Sequence, residues 1–249
     1  MKISEHEKAQ TRRRILEAAV EVITEKGFKS ASMREIAKRA GVGDATIYNY
    51  FPSKEKLIYG YCEEVQQRIM ATLRGIEHYH EYTLGEQLQQ LIDVELQTWL
   101  PAREFLQEVF RLTFYSPVAA YEQLEATRRL NMCMVVDLLD AAIEAGEIPE
   151  QPYQELLPRL FWDYQTGILA YWLKDDSEGF ANTTQLVDRS MEMLAGVLQL
   201  GLVGKALNLI SFIFRTHVMN HLESFGYLHT TLRKGKRRFM DGNDDTASS

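Results

Sequence analysis

The sequence of 249 residues is long enough for a small domain and a larger one, and its hydrophobic content of 45% is ordinary for a folded protein. Its two cysteines, Cys62 and Cys133, lack metal-binding or redox spacing, so we expect free thiols. No apolar run reaches the length of a membrane span, and the charged amino end lacks a signal-peptide core. We therefore expect a cytoplasmic protein without a membrane segment.

The net charge of −7 conceals an asymmetry along the chain. Residues 1–60 hold 12 Lys or Arg and 8 Asp or Glu, a net charge of +4. Residues 61–232 hold 11 Lys or Arg and 24 Asp or Glu, a net charge of −13. A basic beginning on an acidic body is expected when only one end of a protein meets a polyanion. The negative total is thus no argument against nucleic-acid binding.

The chain opens with helical patterns. Apolar residues at helical spacing predict a first helix over 6–25, which stops at Gly27. Ser32 and Glu35 have the spacing of a capping box, in which each side chain satisfies an amide proton at a helix start. They predict the start of a second helix, and Gly41 can adopt the backbone angles of the turn that ends it.

A short third helix is predicted over 44–50, with Ile47 and Phe51 one helical turn apart on its buried side. Two short helices around a glycine-containing turn are typical of the helix-turn-helix, whose second helix enters the major groove of DNA. We therefore expect a DNA-binding domain at 1–57, whose fourth helix is capped by Ser53 and continues to about residue 75.

The rest of the chain also has helical patterns, and no segment alternates polar and apolar residues as a strand does. Capping-box spacing at 83–86, a serine–proline pair at 116–117 and Gly146 mark helix ends. Helices are predicted over 83–100, 102–115, 116–145, 153–174, 183–200 and 203–228. The predicted fold class is all-α.

A string of residues with fixed spacing runs from position 11 to position 57, about a fifth of the chain. Its members are Arg12, Ile15, Leu16, Ala18, Ala19, Lys26, Gly27, Phe28, Ser32, Ile36, Ala37, Ala40, Gly41, Val42, Thr46, Ile47, Tyr48, Tyr50, Phe51, Ser53, Lys54 and Leu57. This string resembles the DNA-binding domain of TetR-type (TetR/AcrR-like) transcriptional regulators. The chain departs from the family at Gly43, often a serine, and at Ala45, often a glycine. Glycine is a tolerable helix cap, so the fold is compatible with the first change.

The resemblance implies which side chains meet the DNA backbone. Thr46, Tyr48, Tyr50 and Lys54 carry hydroxyl or ammonium groups, which suit phosphate oxygens near helix ends. Packing of the two tyrosine rings in the core is the alternative. Because Ile47 already occupies the buried side of the helix, contact with DNA is favoured.

Four further residues are candidates for contact with base edges or phosphates. Ala45 suits a thymine methyl, Asn49 an adenine, and Asp44 could accept from a cytosine amino group. Arg34 could reach a phosphate or a guanine edge. The arginines at 12–14 either lie along the DNA or form a solvated helix start, and the sequence leaves both interpretations open.

The resemblance also implies a homodimer. One helix-turn-helix reads too few base pairs for useful discrimination, so a symmetric dimer on a palindromic operator in double-stranded DNA is expected. In regulators of this type the last two regular helices form a four-helix interface, which here implies the helices at 153–174 and 183–200. A monomer core would give the same apolar pattern.

The resemblance also implies a cavity for an apolar or amphipathic small-molecule effector among the helices after residue 58. The candidate lining residues are aromatic: Trp99, Phe105, Phe110, Phe114, Phe161, Trp162 and Tyr164. Ordinary core packing is the alternative, and it accounts for more than half of such aromatic residues. Glu108, Asp137 or Asp163 beside such rings could hold a cationic effector, although solvated acidic residues are commoner.

The full expectation is a repressor that an effector releases from its operator, without enzyme activity, cofactor or metal. The ligand-binding and dimerisation domain spans 58–202, an extra helix spans 203–230, and a basic, then acidic, disordered tail spans 231–249. His217 and His221 lie four apart, but a structural or exposed pair is favoured over zinc. The basic cluster at 233–238 either adds non-specific DNA affinity or is a solvated tail. The alternative function is a ligand-independent DNA-binding or scaffold protein.

Overall fold

The computed structural model describes residues 4–115, 122–151, 154–205 and 209. The chain divides into two units, 1–200 and 201–249. Of the second unit, the structure describes 201–205 and 209, of which 203–205 and 209 are helical. Most of the predicted helix at 203–230, with His217 and His221, therefore lies outside the described residues. So does the whole tail at 231–249 with its basic cluster.

The described residues form helices and no strand, which confirms the all-α prediction. The helices are α1 (Glu5–Lys26), α2 (Met33–Ala40), α3 (Asp44–Tyr50), α4 (Lys54–Arg74), α5 (Leu84–Trp99), α6 (Arg103–Tyr115), α7 (Glu125–Glu144), α8 (Leu157–Trp172) and α9 (Ala181–Gln199). Short 3₁₀ turns lie at Tyr79–Glu81, Leu100–Ala102 and Glu178–Phe180.

One predicted helix start is wrong, and another lies outside the described residues. Of the helix predicted over 116–145, residues 116–121 lie outside the described residues, 122–123 are helical, and α7 begins at Glu125 after a turn at Leu124. The helix predicted from residue 153 begins, as α8, at Leu157, because Pro158 occupies its first turn. Proline has no amide proton to donate inside a helix, so the first turn is where it fits without loss.

Residues 4–60, here called the head, pack around an apolar centre. Ile15 and Leu16 of α1, Ile36 of α2 and Ile47 of α3 are all fully buried. Burial of each such side chain contributes about 1.5–3 kcal/mol. Gly60 lets α4 approach the end of α3, since a Cβ there would lie 2.8 Å from the Phe51 ring.

Residues 61–200, here called the body, continue from the second half of α4. Tyr61 packs edge-on against Trp99, with ring centroids 5.9 Å apart, and against Phe105, at 5.2 Å. α7 packs against α4, α5 and α8, and α9 packs against α5 and α8. The head and the body meet where α6 contacts α1 and where the Glu108 carboxylate accepts a hydrogen bond from the Phe28 amide at 3.3 Å. Glu108 is thus engaged in a domain contact.

Candidate nucleic-acid interface

The turn between α2 and α3 has the geometry that the sequence predicts. The Ser32 hydroxyl accepts from the Glu35 amide, and the Glu35 carboxylate accepts from the Ser32 amide, so the capping box is confirmed. At the other end of α2, Gly41 has φ +66° and ψ +36°, and the Val42 amide donates to the Ala37 carbonyl at 3.0 Å. Glycine reaches these left-handed angles without the strain that a side chain would add.

α3 is anchored by one side and exposed on the other. Ile47 is fully buried and Phe51, just after the helix, is 5% exposed, which confirms the predicted buried side. Tyr48 is 54% exposed, more than any other Phe, Trp or Tyr among the described residues. Asp44, Ala45 and Asn49 are exposed, whereas Thr46 and Tyr50 are half-buried. Six of the eight predicted DNA contacts thus lie on one short helix, with hydroxyl, amide, carboxylate and methyl groups beside each other.

Arg34 lies close to the start of α3. Its Nε is 3.6 Å from the Asp44 carboxylate, and the two side chains are 87% and 61% exposed. Such an exposed pair contributes little to stability, at most about 1 kcal/mol. It does offset the negative charge of Asp44 where α3 would face phosphates.

Lys54 is held within the head. Its ammonium donates to the carbonyls of Phe28 and Ala31, both at 2.6 Å, and lies 4.6 Å from the centre of the Phe28 ring. Its distance to the Lys29 carbonyl, 3.5 Å, is long for a third hydrogen bond. Lys54 therefore fastens the start of α4 to the loop after α1, with only this long contact for its third proton among the described residues.

The arginines of α1 make ion pairs that the sequence did not indicate. The Arg12 guanidinium lies 3.5 Å from the Glu63 carboxylate and 3.4 Å from that of Glu64, both on α4. It also lies over the Phe51 ring at 5.5 Å. Arg13 pairs with Glu17 at 3.0 Å. Arg12 thus links α1 to α4. This role differs from both interpretations that the sequence left open, contact with DNA and a solvated helix start.

Comparison with protein families matches the two parts of the chain separately. Residues 15–59 match the family described as "Bacterial regulatory proteins, tetR family". Residues 87–213, just over half of the chain, match "Tetracyclin repressor-like, C-terminal domain". The chain belongs to the tetR family of bacterial regulatory proteins. It is a DNA-binding transcriptional regulator, and the second match extends beyond residue 202, the predicted end of the ligand-binding and dimerisation domain.

Individual tetR-family relatives cover most of the chain. The HTH-type transcriptional regulator UidR of Escherichia coli (strain K12) is 29% identical over 192 residues, which are 76% of this chain and 93% of UidR. FadR of Bacillus subtilis, solved in complex with stearoyl-CoA, superimposes with a TM-score of 0.59 at 25% identity, covering 76% of this chain and 98% of FadR. GusR of Salmonella enterica has a TM-score of 0.56 at 25% identity and covers 80% of this chain and 99% of GusR. UidR and FadR are both described as transcriptional regulators.

The aromatic residues predicted for the effector cavity of this tetR-family chain form two separate groups. Trp99 and Phe105 are buried and pack on Tyr61 at the junction of α4, α5 and α6. Phe161 and Tyr164 of α8 contact each other with ring centroids 5.9 Å apart. The Tyr164 hydroxyl also hydrogen-bonds the Ser190 hydroxyl of α9, so this second group belongs to the α8–α9 pair.

The remaining predicted cavity residues are less informative. Phe110 and Trp162 are half-buried, and the side chain of Phe114 lies outside the described part of the structure. Asp137 and Asp163, the two other carboxylates suggested for a cationic effector, are exposed. Their exposure agrees with the solvated alternative.

Sequence reasoning missed the polar residues inside the body. Gln66, Glu95, Asn131 and Gln165 are buried, one on each of α4, α5, α7 and α8. The Gln165 amide donates to the Glu95 carboxyl at 2.9 Å, and burial raises the pKa of Glu95 to about 7, an effect that this hydrogen bond partly opposes. The signal in the sequence that could have revealed them was a polar residue at a helical position that otherwise holds apolar residues.

Cys62 is buried, and burial raises the pKa of its thiol to about 12, whereas Cys133 is exposed. In the part of the chain that the structure describes, no group of three or more His, Cys, Asp or Glu residues is placed to hold a metal ion. Over the same residues, no helix combines the length and the apolar character that crossing a membrane requires.

Proposed function

We propose that the protein is a homodimeric cytoplasmic repressor that binds a palindromic operator and leaves it when an apolar or amphipathic small molecule binds in the body. The observation that carries the proposal is the exposed face of α3. A recognition helix must be held from behind and leave its side chains free, and Ile47 and Phe51 hold it while Tyr48 extends into solvent.

The proposed DNA contacts follow from this face. Tyr48, Thr46 and Tyr50 would donate to phosphates, and Ala45 and Asn49 would meet base edges. In addition to these five residues, Asp44 and its neighbour Arg34 would face bases or phosphates as a pair. The third proton of Lys54 would reach a phosphate.

The proposed dimer interface consists of α8 and α9. The two helices pack on each other and leave large apolar side chains exposed. These are Leu160 and Tyr171 on α8 and Leu186 and Met193 on α9, with Leu156 and Leu200 at their ends. Exposed apolar residues clustered on two adjacent helices support an interface between copies of the chain.

The proposed effector release rests on the family and on the contact between head and body. FadR of Bacillus subtilis was solved with stearoyl-CoA, so a chain of this fold can hold a small molecule. In the present chain α6 contacts α1, and Glu108 of α6 bonds to the Phe28 amide. A ligand that moves α6 would therefore move the head, and effector and operator affinities would be reciprocally coupled.

The experiment begins with selection of bound fragments from random duplex DNA by the purified full-length protein. Affinity for the selected operator is then measured for Tyr48→Ala and for a matched control, Tyr82→Ala, which removes an exposed tyrosine of the body. We expect Tyr48→Ala to weaken binding by about tenfold or more, equivalent to about 1.4 kcal/mol, and the control to bind normally. Light scattering should give a dimer mass for both variants.

Wild-type affinity for the operator in Tyr48→Ala would refute the contact assignment. Failure of the wild-type protein to prefer any duplex would refute the proposed function as a whole. An operator complex that no member of a hydrophobic ligand library dissociates would favour the ligand-independent alternative.

A further inference from the structure

Four buried polar side chains of the body come from four different helices. Gln66 of α4, Glu95 of α5, Asn131 of α7 and Gln165 of α8 are 3%, 6%, 1% and 2% exposed. Polar side chains this deep in a protein are almost always hydrogen-bonded. Their partners therefore decide what these residues do.

Half of the eight polar side-chain atoms of these four residues have no hydrogen-bond partner in the described part of the chain. Among the described residues, no atom bonds to Gln66 Nε2, to either amide atom of Asn131 or to Gln165 Oε1. Whichever way the Asn131 amide is turned, one donor and one acceptor remain without a partner. Each such buried group costs stability until something supplies its hydrogen bonds.

Helix directions bring Gln66 to the level of Glu95. α4 and α5 are antiparallel, since Tyr61 contacts Trp99 at one end and Tyr79, after α4, bonds to Gln87 at the other. Gln66 lies about 7.5 Å along α4 from Tyr61, and Glu95 lies about 6 Å along α5 from Trp99, at 1.5 Å per residue. Both therefore lie one to two turns from the aromatic contact.

Gln165 and Asn131 complete the set from the other two helices. Gln165 reaches Glu95 directly through its hydrogen bond. α7 spans the length of α4, since Gln123 before it bonds to Lys56 and Glu147 after it accepts from the Leu84 amide. α7 packs against α4, α5 and α8, so the buried side chain of Asn131 faces the space between those helices.

We propose that Gln66, Glu95, Asn131 and Gln165, here called the polar layer, bind the polar group of the effector, and that this group is an uncharged hydroxyl or amide. The inference rests on the proposed function and specifies the chemistry of its ligand. The aromatic group of Tyr61, Trp99 and Phe105 lies beside the layer and would take the apolar part of the same molecule.

The atoms of the polar layer select this chemistry. Side-chain amides donate and accept, and hydroxyl and amide groups on a ligand do the same, so each can satisfy several unpaired atoms at once. A ligand carboxylate only accepts, so it would leave Gln165 Oε1 unsatisfied and would face the Glu95 carboxyl. The guanidinium of Arg68, on α4, stacks over the Tyr61 ring at 5.4 Å, and among the described residues no atom bonds to its buried Nε, which would donate to a hydroxyl or carbonyl oxygen of the same polar group.

The first test compares buried amide side chains that differ in their hydrogen-bond partners. Gln66→Leu and Asn131→Leu remove side chains with unpaired buried atoms, whereas the control Gln87→Leu removes an amide that donates to the Tyr79 carbonyl at 2.9 Å. We expect the first two variants to unfold at a higher temperature than the wild type, and the control at a lower one. A fall in the unfolding temperature of both layer variants would overturn the proposal.

The second test uses probes with one six-carbon tail and different head groups: hexyl β-D-glucoside, hexanoate and hexylamine. We expect the glucoside to give the largest thermal stabilisation of the full-length protein and the largest release of operator. We expect Asn131→Leu to weaken both effects by about tenfold or more. A larger effect of either charged probe, an undiminished glucoside effect in Asn131→Leu, or no response to any probe would overturn the proposal.

Operator affinity without any probe separates this proposal from the proposed function. Gln66→Leu and Asn131→Leu should bind the operator as the wild type does. If they do so while the probe results fail, the chain is a DNA-binding regulator whose polar layer holds only water. If the wild type binds no operator, the proposed function itself fails.

Discussion

The interiors of the head and the body differ in their polar content. In the described part of the head, no polar side chain is buried. The described part of the body buries nine: Gln66, Gln87, Glu95, Thr127, Asn131, Gln151, Gln165, Asp175 and Thr183. An apolar interior packs in one arrangement and costs nothing in lost hydrogen bonds, which suits a helix that must be presented rigidly. A polar interior with unpaired atoms suits a domain in which a bound ligand supplies the missing hydrogen bonds.

Burial alone does not explain the unpaired atoms of the body. Asp175 is also buried, yet its carboxylate accepts from the Ser177 hydroxyl at 2.6 Å, and from the Thr183 hydroxyl and amide at 2.6 and 2.8 Å. These bonds hold the pKa of Asp175 well below its usual value, whereas burial raises that of Glu95. The buried carboxylate of Asp175, on which the start of α9 depends, therefore has its hydrogen bonds supplied within the body.

The largest effect is expected from a polar group placed inside the head. Ile47→Asn removes the apolar anchor of α3 and buries an amide without a partner, so we expect a loss of about 3–5 kcal/mol in the free energy of unfolding. Denaturant unfolding followed by circular dichroism measures it. The control Ala45→Asn adds the same amide to the exposed side of α3, where a change within about 0.5 kcal/mol is expected. Equal stability of the two variants would contradict the anchoring role of Ile47.

The predictable parts of the molecule depend on local contacts. Ser32 and Glu35 are three residues apart, and Gly41 determines its own turn, so the helix-turn-helix could be derived from the order of residues. The start of α8 at Leu157 was missed because the apolar pattern before it also fits a helix, and only Pro158 opposes it.

The contacts of Lys54 and Glu95 could not be predicted for another reason. Lys54 bonds to Ala31, 23 residues away, and Glu95 to Gln165, 70 residues away. Nothing in either local pattern indicates the partner, because the partner is determined by how whole helices pack. The exposed face of α3 could thus be predicted, while the polar layer could not.

An intermediate effect is expected from Glu95→Gln, with a definite dependence on pH. The pKa of Glu95 is about 7 in the folded protein, above the value of an exposed glutamate. The contribution of the neutral Glu95 carboxyl to the free energy of unfolding is therefore fully present below about pH 4.5. It is lost as pH rises through about 7, where the buried carboxyl ionises. Glutamine cannot ionise, so at pH 8.5 the variant should gain on the order of 2 kcal/mol relative to the wild type, and little at pH 4.5.

Denaturant titrations of both proteins at a series of pH values, at one protein concentration, give this difference directly. A constant difference between pH 4.5 and pH 8.5 would show that Glu95 is not held neutral by burial. It would also weaken the contrast with the head, whose interior has no group of this kind among the described residues.

The smallest effect is expected from Lys54→Met, which tests whether the Lys54 ammonium bonds only within the head or also to DNA. Loss of two bonds to carbonyls and of the contact with the Phe28 ring should lower the free energy of unfolding by about 1–2 kcal/mol. If the third proton also reaches a phosphate, the slope of log affinity against log salt for operator DNA should decrease by about one. An unchanged slope in a variant that still folds would restrict Lys54 to holding the loop after α1. The head would then contact phosphates through the exposed side of α3 and Arg34, and the separation between its packing residues and its binding residues would be complete.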